Sequence, residues 1–159
     1  VKRFSRWGTP GGFSLWWELG DVPAYNWYGA EFGGPGDPAV EKIACPGGYE
    51  KILSGRRSCY LCPLATRRMV SCDIEPYKIE RNVEGPEYET LAAFGPMIGI
   101  DKIEAIAKLN DLCNIYGLDT ISTGSVLAFA MECFERGILS EEDVGFKLRF
   151  GDPEALIKL

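Results

Sequence analysis

Residues 101–137, DKIEAIAKLNDLCNIYGLDTISTGSVLAFAMECFERG, decide the fold class. Ile103, Ile106, Ala107, Asn110 and Cys113 recur at helical spacing and share one face. Asp101 with Glu104 three positions on has the form of a capping box. Glu104 and Lys108 stand at the i, i+4 spacing of a solvent-side pair. The helix is expected to end near Tyr116-Gly117, where glycine can take a left-handed cap. A second helix is expected to start at Ser122 or Thr123 and run through Val126, Leu127, Ala130, Met131, Cys133 and Phe134 to a stop at Gly137. Apart from Glu132, Glu135 and Arg136 it is apolar all round, which predicts a central place in the core.

Outward from this pair, Ser140 with Asp143 opens another short turn, and Asp152-Pro153 pairs an N-cap carboxylate with a proline at the first helical position. Arg68 to Cys72 and Tyr77 to Val83 read as short strands, and Leu91 to Phe94 as an apolar turn. The fold class is therefore mainly α: a multihelical domain with a Gly/Trp-rich N-terminal segment, a Cys loop and a small β element. Composition divides it into two parts of the same domain, residues 1–58 and 59–159, and the first holds all four Trp. In that first part Gly8, Pro10, Gly11 and Gly12 form a turn, and Gly33-Gly34-Pro35-Gly36 a second loop. Phe13 to Leu19 makes an aromatic helix ended by Gly20. A helix starting at Asp37-Pro38 is interrupted at Pro46-Gly47-Gly48, and a turn covers Tyr49 to Leu53. The chain begins with Val1, and its last helix runs to Leu159 without a stop signal. A segment of a longer protein is the expectation.

The 159 residues carry 17 Lys plus Arg against 23 Asp plus Glu, a formal charge of -6, and no His. An acidic balance argues against a general nucleic-acid or anionic-membrane binder. The longest apolar run, Val126 to Met131, is far short of the ~20 residues of a membrane span. No apolar stretch follows the basic first residues, so a signal peptide is not expected. Without imidazole, Ser-His-Asp and Cys-His catalysis are excluded within these residues, and chemistry falls to carboxylates, thiols, Lys, Tyr or a bound cofactor.

Six Cys in a core-rich chain of this size do not require a disulfide framework, and reduced thiols fit better. Cys59-x-x-Cys62-Pro63, flanked by Arg57, Arg67 and Arg68, has a spacing at which two thiolates close on one metal centre. Two half-buried free thiols satisfy the same pattern. Cys113 and Cys133 sit on core faces, Cys45 has no partner at a metal-binding spacing, and Cys72 is the one candidate third thiol, which would make a small zinc site. Glu84-Gly85-Pro86-Glu87-Tyr88-Glu89-Thr90 places three carboxylates within six residues ahead of an apolar turn. A helix start there would favour negative side chains at Glu87 and Glu89, and a solvated acidic loop accounts for the same charges.

Read together, four segments in order resemble the tungsten-containing aldehyde ferredoxin oxidoreductase family. They are Gly20-Asp21-Val22-Pro23 with Asn26-Trp27, the Cys59-x-x-Cys62-Pro63 loop, the Glu84 to Thr90 segment, and Leu112 to Gly124. The resemblance covers nearly the whole chain and implies the first helical domain of that family, the central one, following a β-rich base. It further implies a tungstopterin, or molybdopterin, whose dithiolene sulfurs hold the metal. A 4Fe–4S cluster beside it would pass electrons to ferredoxin as an aldehyde is oxidised to a carboxylic acid. The pterin loop of the family, Asp/Asn-x-x-Gly-Leu-Asp, falls on Asn114, Gly117, Leu118 and Asp119, and the acid/base carboxylate on Glu89, with Glu87 in a structural role. Cluster ligands fall on Cys59 and Cys62. The family carries C-x-x-C-x-x-x-C, and the third position here is Thr66, a poor iron ligand. A cluster-lacking paralogue acting as a scaffold or electron-transfer subunit is the alternative. The resemblance implies an anaerobic, cytoplasmic setting, is compatible with a homo-oligomer of the whole protein, and leaves the isolated segment expected to be inactive.

Overall fold

The computed structural model describes residues 2–28 and 38–157. The expected loop Gly33-Gly34-Pro35-Gly36, the helix-start residue Asp37 and the chain's two ends (Val1, Lys158 and Leu159) lie outside the described residues. Eight helices are described: α1 (Lys2–Trp7), α2 (Phe13–Glu18), α3 (Pro38–Glu41), α4 (Tyr88–Phe94), α5 (Ile103–Tyr116), α6 (Thr120–Glu135), α7 (Glu141–Val144) and α8 (Pro153–Ile157). Between α3 and α4 lies a three-stranded antiparallel meander of β1 (Leu53–Arg57), β2 (Arg67–Cys72) and β3 (Ile79–Glu84). The mainly helical fold with a small β element is thus the observed one. The compositional boundary near residue 58 falls in the β1–β2 connection, inside one hairpin.

β1 escapes a reading by hydrophobic alternation because Ser54, Gly55, Arg56 and Arg57 are all exposed. It is held by backbone pairing, with Arg56 opposite Arg68 and Arg57 opposite Arg67. β2 and β3 pair Val70 with Val83 and Cys72 with Ile79, and these four side chains are buried. They join a core that includes Phe13, Ile43, Leu91, Phe94, Ile98, Ile103, Ile106 and Met131. Tyr49 is fully buried among them, and its hydroxyl donates to the Pro86 carbonyl at 2.9 Å. Burial pushes that hydroxyl well above its ordinary pKa and so keeps it a donor. Gly85 must lack a side chain, since a Cβ there would lie 2.4 Å from the Tyr49 hydroxyl.

Several local expectations change in the fold. The apolar turn Leu91 to Phe94 is the body of α4. α5 starts at Ile103 behind Lys102, with no side-chain cap, because Asp101 is drawn into an ion pair with Lys42. Lys108 does not pair with Glu104; its ammonium donates to the Lys78 carbonyl at 2.8 Å and ties α5 to the end of the meander. α6 begins at Thr120 and not at Ser122 or Thr123, since Asp119 supplies the cap. Nor is α6 buried all round. Its inward face is Gly124, Ala128, Met131 and Cys133, whereas Val126 and Phe129 are 65% and 63% exposed. The expected caps at Gly117, Ser140 with Asp143, and Asp152-Pro153 are present.

Candidate functional site

Glu87 occupies the N-cap position of α4 in extended conformation and accepts a hydrogen bond from the Thr9 hydroxyl. The Tyr88 backbone N–H donates to the same Thr9 oxygen at 2.9 Å. The Tyr88 ring packs on Phe13 and Trp16, with centroids 6.0 and 6.3 Å away, and its hydroxyl reaches the Asp21 carbonyl at 3.4 Å. Glu87 and Tyr88 are therefore turned toward the Trp-rich segment and hold it to the helix start. Glu89, one position on, is exposed in the first turn of α4, where a helix N-terminus favours a negative side chain.

The loop between α5 and α6 is built from two helix ends. Asn114 is exposed on the last turn of α5. Gly117 follows at φ 69, in the left-handed region that glycine enters without cost, and the Leu118 N–H donates back to the Cys113 carbonyl at 2.8 Å. Leu118 is 54% exposed. Asp119 caps α6, one carboxylate oxygen accepting from the Ser122 N–H at 2.7 Å, while its carbonyl accepts from the Thr123 hydroxyl at 2.7 Å. These bonds from Ser122 hold the Asp119 carboxyl below the ordinary aspartate range. A carboxyl with a depressed folded pKa contributes stability above its unfolded pKa and loses it as pH falls through the folded one. Asp119→Asn keeps a capping oxygen without the titration. Its melting temperature is expected to fall less than that of the native chain between about pH 6 and about pH 3, and a thermal-melt series across that range checks it.

One hydrogen bond brings the two segments together. Thr90, next to Glu89, and Thr120, next to Asp119, share a hydroxyl–hydroxyl bond of 2.8 Å. One turn further on, Gly124 of α6 abuts Ala93 of α4 so closely that a Cβ on Gly124 would lie 2.6 Å from the Ala93 carbonyl oxygen. α4 and α6 thus run side by side in the same direction, and both N-termini open at one end with Glu89 and the Asn114–Asp119 loop. Nothing in the sequence pairs Thr90 with Thr120 or Thr9 with Glu87; side chains on segments 30 and 78 residues apart meet only through the fold.

The Cys loop projects from the tip of the β1–β2 hairpin. Cys59 is exposed, Cys62 is half-buried, and the Cys62 N–H closes the turn on the Cys59 carbonyl at 3.0 Å. Between them Tyr60 and Leu61 are 93% and 84% exposed. The base of the loop is held by Arg68, itself buried, whose guanidinium donates to the carbonyls of Thr66, Ala65 and Arg6. Gly8 packs against Thr66 with no room for a side chain, since a Cβ would sit 2.5 Å from the Thr66 carbonyl oxygen. Cys72 does not join the loop. It lies at the far end of β2, roughly 16 Å along the strand from Arg67, and buries its thiol in the core. Among the described residues no group of three His, Cys, Asp or Glu side chains is placed to hold a metal ion. The three-thiol zinc reading therefore fails. Two thiols and Thr66 likewise do not fit an iron–sulfur cubane, which requires about four ligands. The Asn114–Asp119 loop does fit a polar ligand edge: its side chains are exposed, and space stands open above Gly117.

Comparison with known proteins adds a second line. The family model described as aldehyde ferredoxin oxidoreductase, domains 2 and 3, matches residues 1–159. An aliphatic sulfonate oxidoreductase, WOR-like subunit, from Pyrococcus furiosus is 34% identical over 160 residues, covering 100% of this chain and 25% of that protein. Tungsten-containing aldehyde ferredoxin oxidoreductases from Pyrococcus furiosus and Thermococcus kodakarensis are each 38% identical over 108 residues, covering 67% of this chain and 17% of theirs. The chain thus spans a quarter or less of the length of these relatives. Among the described residues, no helix is long and apolar enough to cross a membrane.

Proposed function

The chain belongs to the aldehyde ferredoxin oxidoreductase family, and from that premise we propose that the whole protein oxidises an aldehyde to a carboxylic acid with ferredoxin as electron acceptor. The observation that carries this reading is the joint opening of Glu89 and the Asn114–Asp119 loop at one end of α4 and α6, bridged by Thr90 and Thr120. Asn114, the backbone around Gly117 and Leu118, and the Asp119 carboxylate oxygen not engaged by Ser122 are the groups that would hold the polar edge of a tungstopterin, or a molybdopterin. When bound, that group supplies a metal that accepts the two electrons of the oxidation. The chain's own contribution is a proton acceptor. The Glu89 carboxylate takes the proton released as water adds to the carbonyl carbon, and the first turn of α4 orients it. The rigid α4–α6 contact fixes Glu89 relative to the loop, which matters because proton transfer tolerates little displacement.

Electron exit is assigned to no residue of this chain, because Cys59, Cys62 and Thr66 do not supply a cubane. The 159 residues alone are proposed to be inactive, and the protein to work in an anaerobic cytoplasm. A second reading, an aliphatic sulfonate as substrate, is favoured by the match of the whole chain to the sulfonate oxidoreductase subunit. The test is metal analysis of the whole protein purified without oxygen, coupled to viologen-dye reduction by a series of aldehydes and aliphatic sulfonates. Tungsten or molybdenum at about one per chain with aldehyde-dependent reduction is expected. Absence of both metals sinks the proposal, and leaves the scaffold or electron-transfer alternative.

A further inference from the structure

An open cleft of about 550 Å³ lies between α1 and the β1–β2 hairpin. Its polar lining is cationic: Lys2, Arg6, Arg56 and Arg68, with Ser5 beside them and Leu53 contributing an apolar wall. Among the described residues no carboxylate lines it, although the chain as a whole carries a formal charge of -6. None of the four cations takes part in an ion pair among the described residues. Arg67, next to Arg68 on β2, is by contrast paired with Glu84.

Arg68 sets this cleft apart from an ordinary basic surface. It is 3% exposed, and a buried guanidinium is normally matched by an anion. Here its partners are neutral carbonyls, those of Thr66, Ala65 and Arg6. Arg56 stands across the hairpin from it in the strand register and is anchored by the Ser5 carbonyl and hydroxyl, both at 3.3 Å. Burial first, and then the charge of Arg56, depresses the pKa of Arg68, so the two guanidiniums are within each other's field. Arg6 is steadied by its stack over the Trp7 ring at 4.7 Å. Arg6 and Arg56 both line the open cleft and are held there without an ion pair among the described residues, and Arg68 is a third, buried cation in its lining. Such a site is complementary to an oxyanion with several acceptor oxygens. A flat acidic protein surface would meet Lys2 and Arg6 but would not reach Arg68, so a small ligand fits better.

We propose that this cleft binds a phosphate group, with Arg56 and Arg6 as its principal contacts and Arg68 as a fixed positive charge in its lining. The test of this site is independent of metal content and of turnover. Calorimetric titration of the protein with inorganic phosphate, and separately with methyl phosphate, is carried out at constant ionic strength. One saturable site is expected, with its dissociation constant raised about tenfold in Arg56→Gln and again in Arg6→Gln, as loss of one charge-assisted contact predicts. Two separate variants guard against a folding defect in either, and circular dichroism checks each. Binding of both ligands identifies a phosphate ester as the natural occupant, and binding of inorganic phosphate alone identifies the free ion. Heat that does not saturate, or equal dissociation constants in the native protein and both variants, overturns the proposal.

Discussion

Glu89→Gln is expected to lower aldehyde-dependent turnover by about two to four orders of magnitude, the range in which a positioned general base contributes. Stability should stay within about 0.5 kcal/mol of the native protein, as for a surface substitution away from any structural bond. The reasoning is geometric. Glu89 is exposed and makes no hydrogen bond or ion pair among the described residues, whereas Glu87, two positions earlier, is clasped by Thr9. The amide is nearly isosteric and keeps the acceptor oxygen, so it removes the proton-accepting carboxylate and little else. Glu87→Ala provides the opposite pattern: the Thr9 hydroxyl loses its partner, stability falls by about 1 kcal/mol, and the chemistry is affected only through that loss. Steady-state rates and denaturant unfolding on both variants, with metal content verified, separate the roles. If Glu89→Gln retains native turnover at native metal content, Glu89 is not the base.

Gly124→Val is expected to destabilise the protein by about 3 kcal/mol or more, beyond the usual range of overpacking because the obstruction is backbone. Helix propensity alone argues the other way for the smaller change, since Gly→Ala in a helix interior gains roughly 0.5–1 kcal/mol. The sign of Gly124→Ala is therefore diagnostic. A Cβ at this position meets the Ala93 carbonyl oxygen at 2.6 Å, its Cβ at 2.7 Å and its carbonyl carbon at 2.9 Å. None of these atoms is the free end of a flexible side chain, so the helices must separate, and the Thr90–Thr120 bond one turn away must stretch. Gly124→Ala should thus lower stability despite its better propensity, and Gly124→Val should also reduce turnover by displacing Glu89 from the loop. Urea unfolding measures the first effect. A Gly124→Ala variant more stable than the native chain would show that α4 and α6 do not approach as described.

The helical part of the fold was open to reading because its signals are local. Ile103, Ile106 and Cys113 repeat at 3.6 residues, and Gly117 takes a backbone conformation that costs most other residues energy. The capping box at Ser140 and the Asp152-Pro153 start are equally local and equally present. Asp101 misled for the opposite reason. Its carboxylate had a local role available at α5 and took a distant one with Lys42, because a charge responds to whatever lies near it in space. β1 left no hydrophobic alternation, since Ser54, Gly55, Arg56 and Arg57 are exposed and the strand is recognised by its backbone pairing with β2. The exposed face of α6 shows a further limit: apolar composition on all sides says nothing about which side finds a partner.

For the candidate site the division is sharper. Residue identity alone determined that no imidazole is available here and which short segments carry carboxylates and a glycine-centred turn, and the family's cysteine pattern added that Thr66 stands where a third thiol would. Chemistry of that kind is a property of side-chain types and their order. Only the tertiary structure decided that Glu87 is a clasp while Glu89 is open, that Cys72 is carried away from the Cys loop by the length of a strand, and that a buried Arg68 faces a cleft without an anion. Those outcomes depend on which distant groups share a few ångströms, and hydrogen bonds, packing and charge all act over that distance and not along the chain.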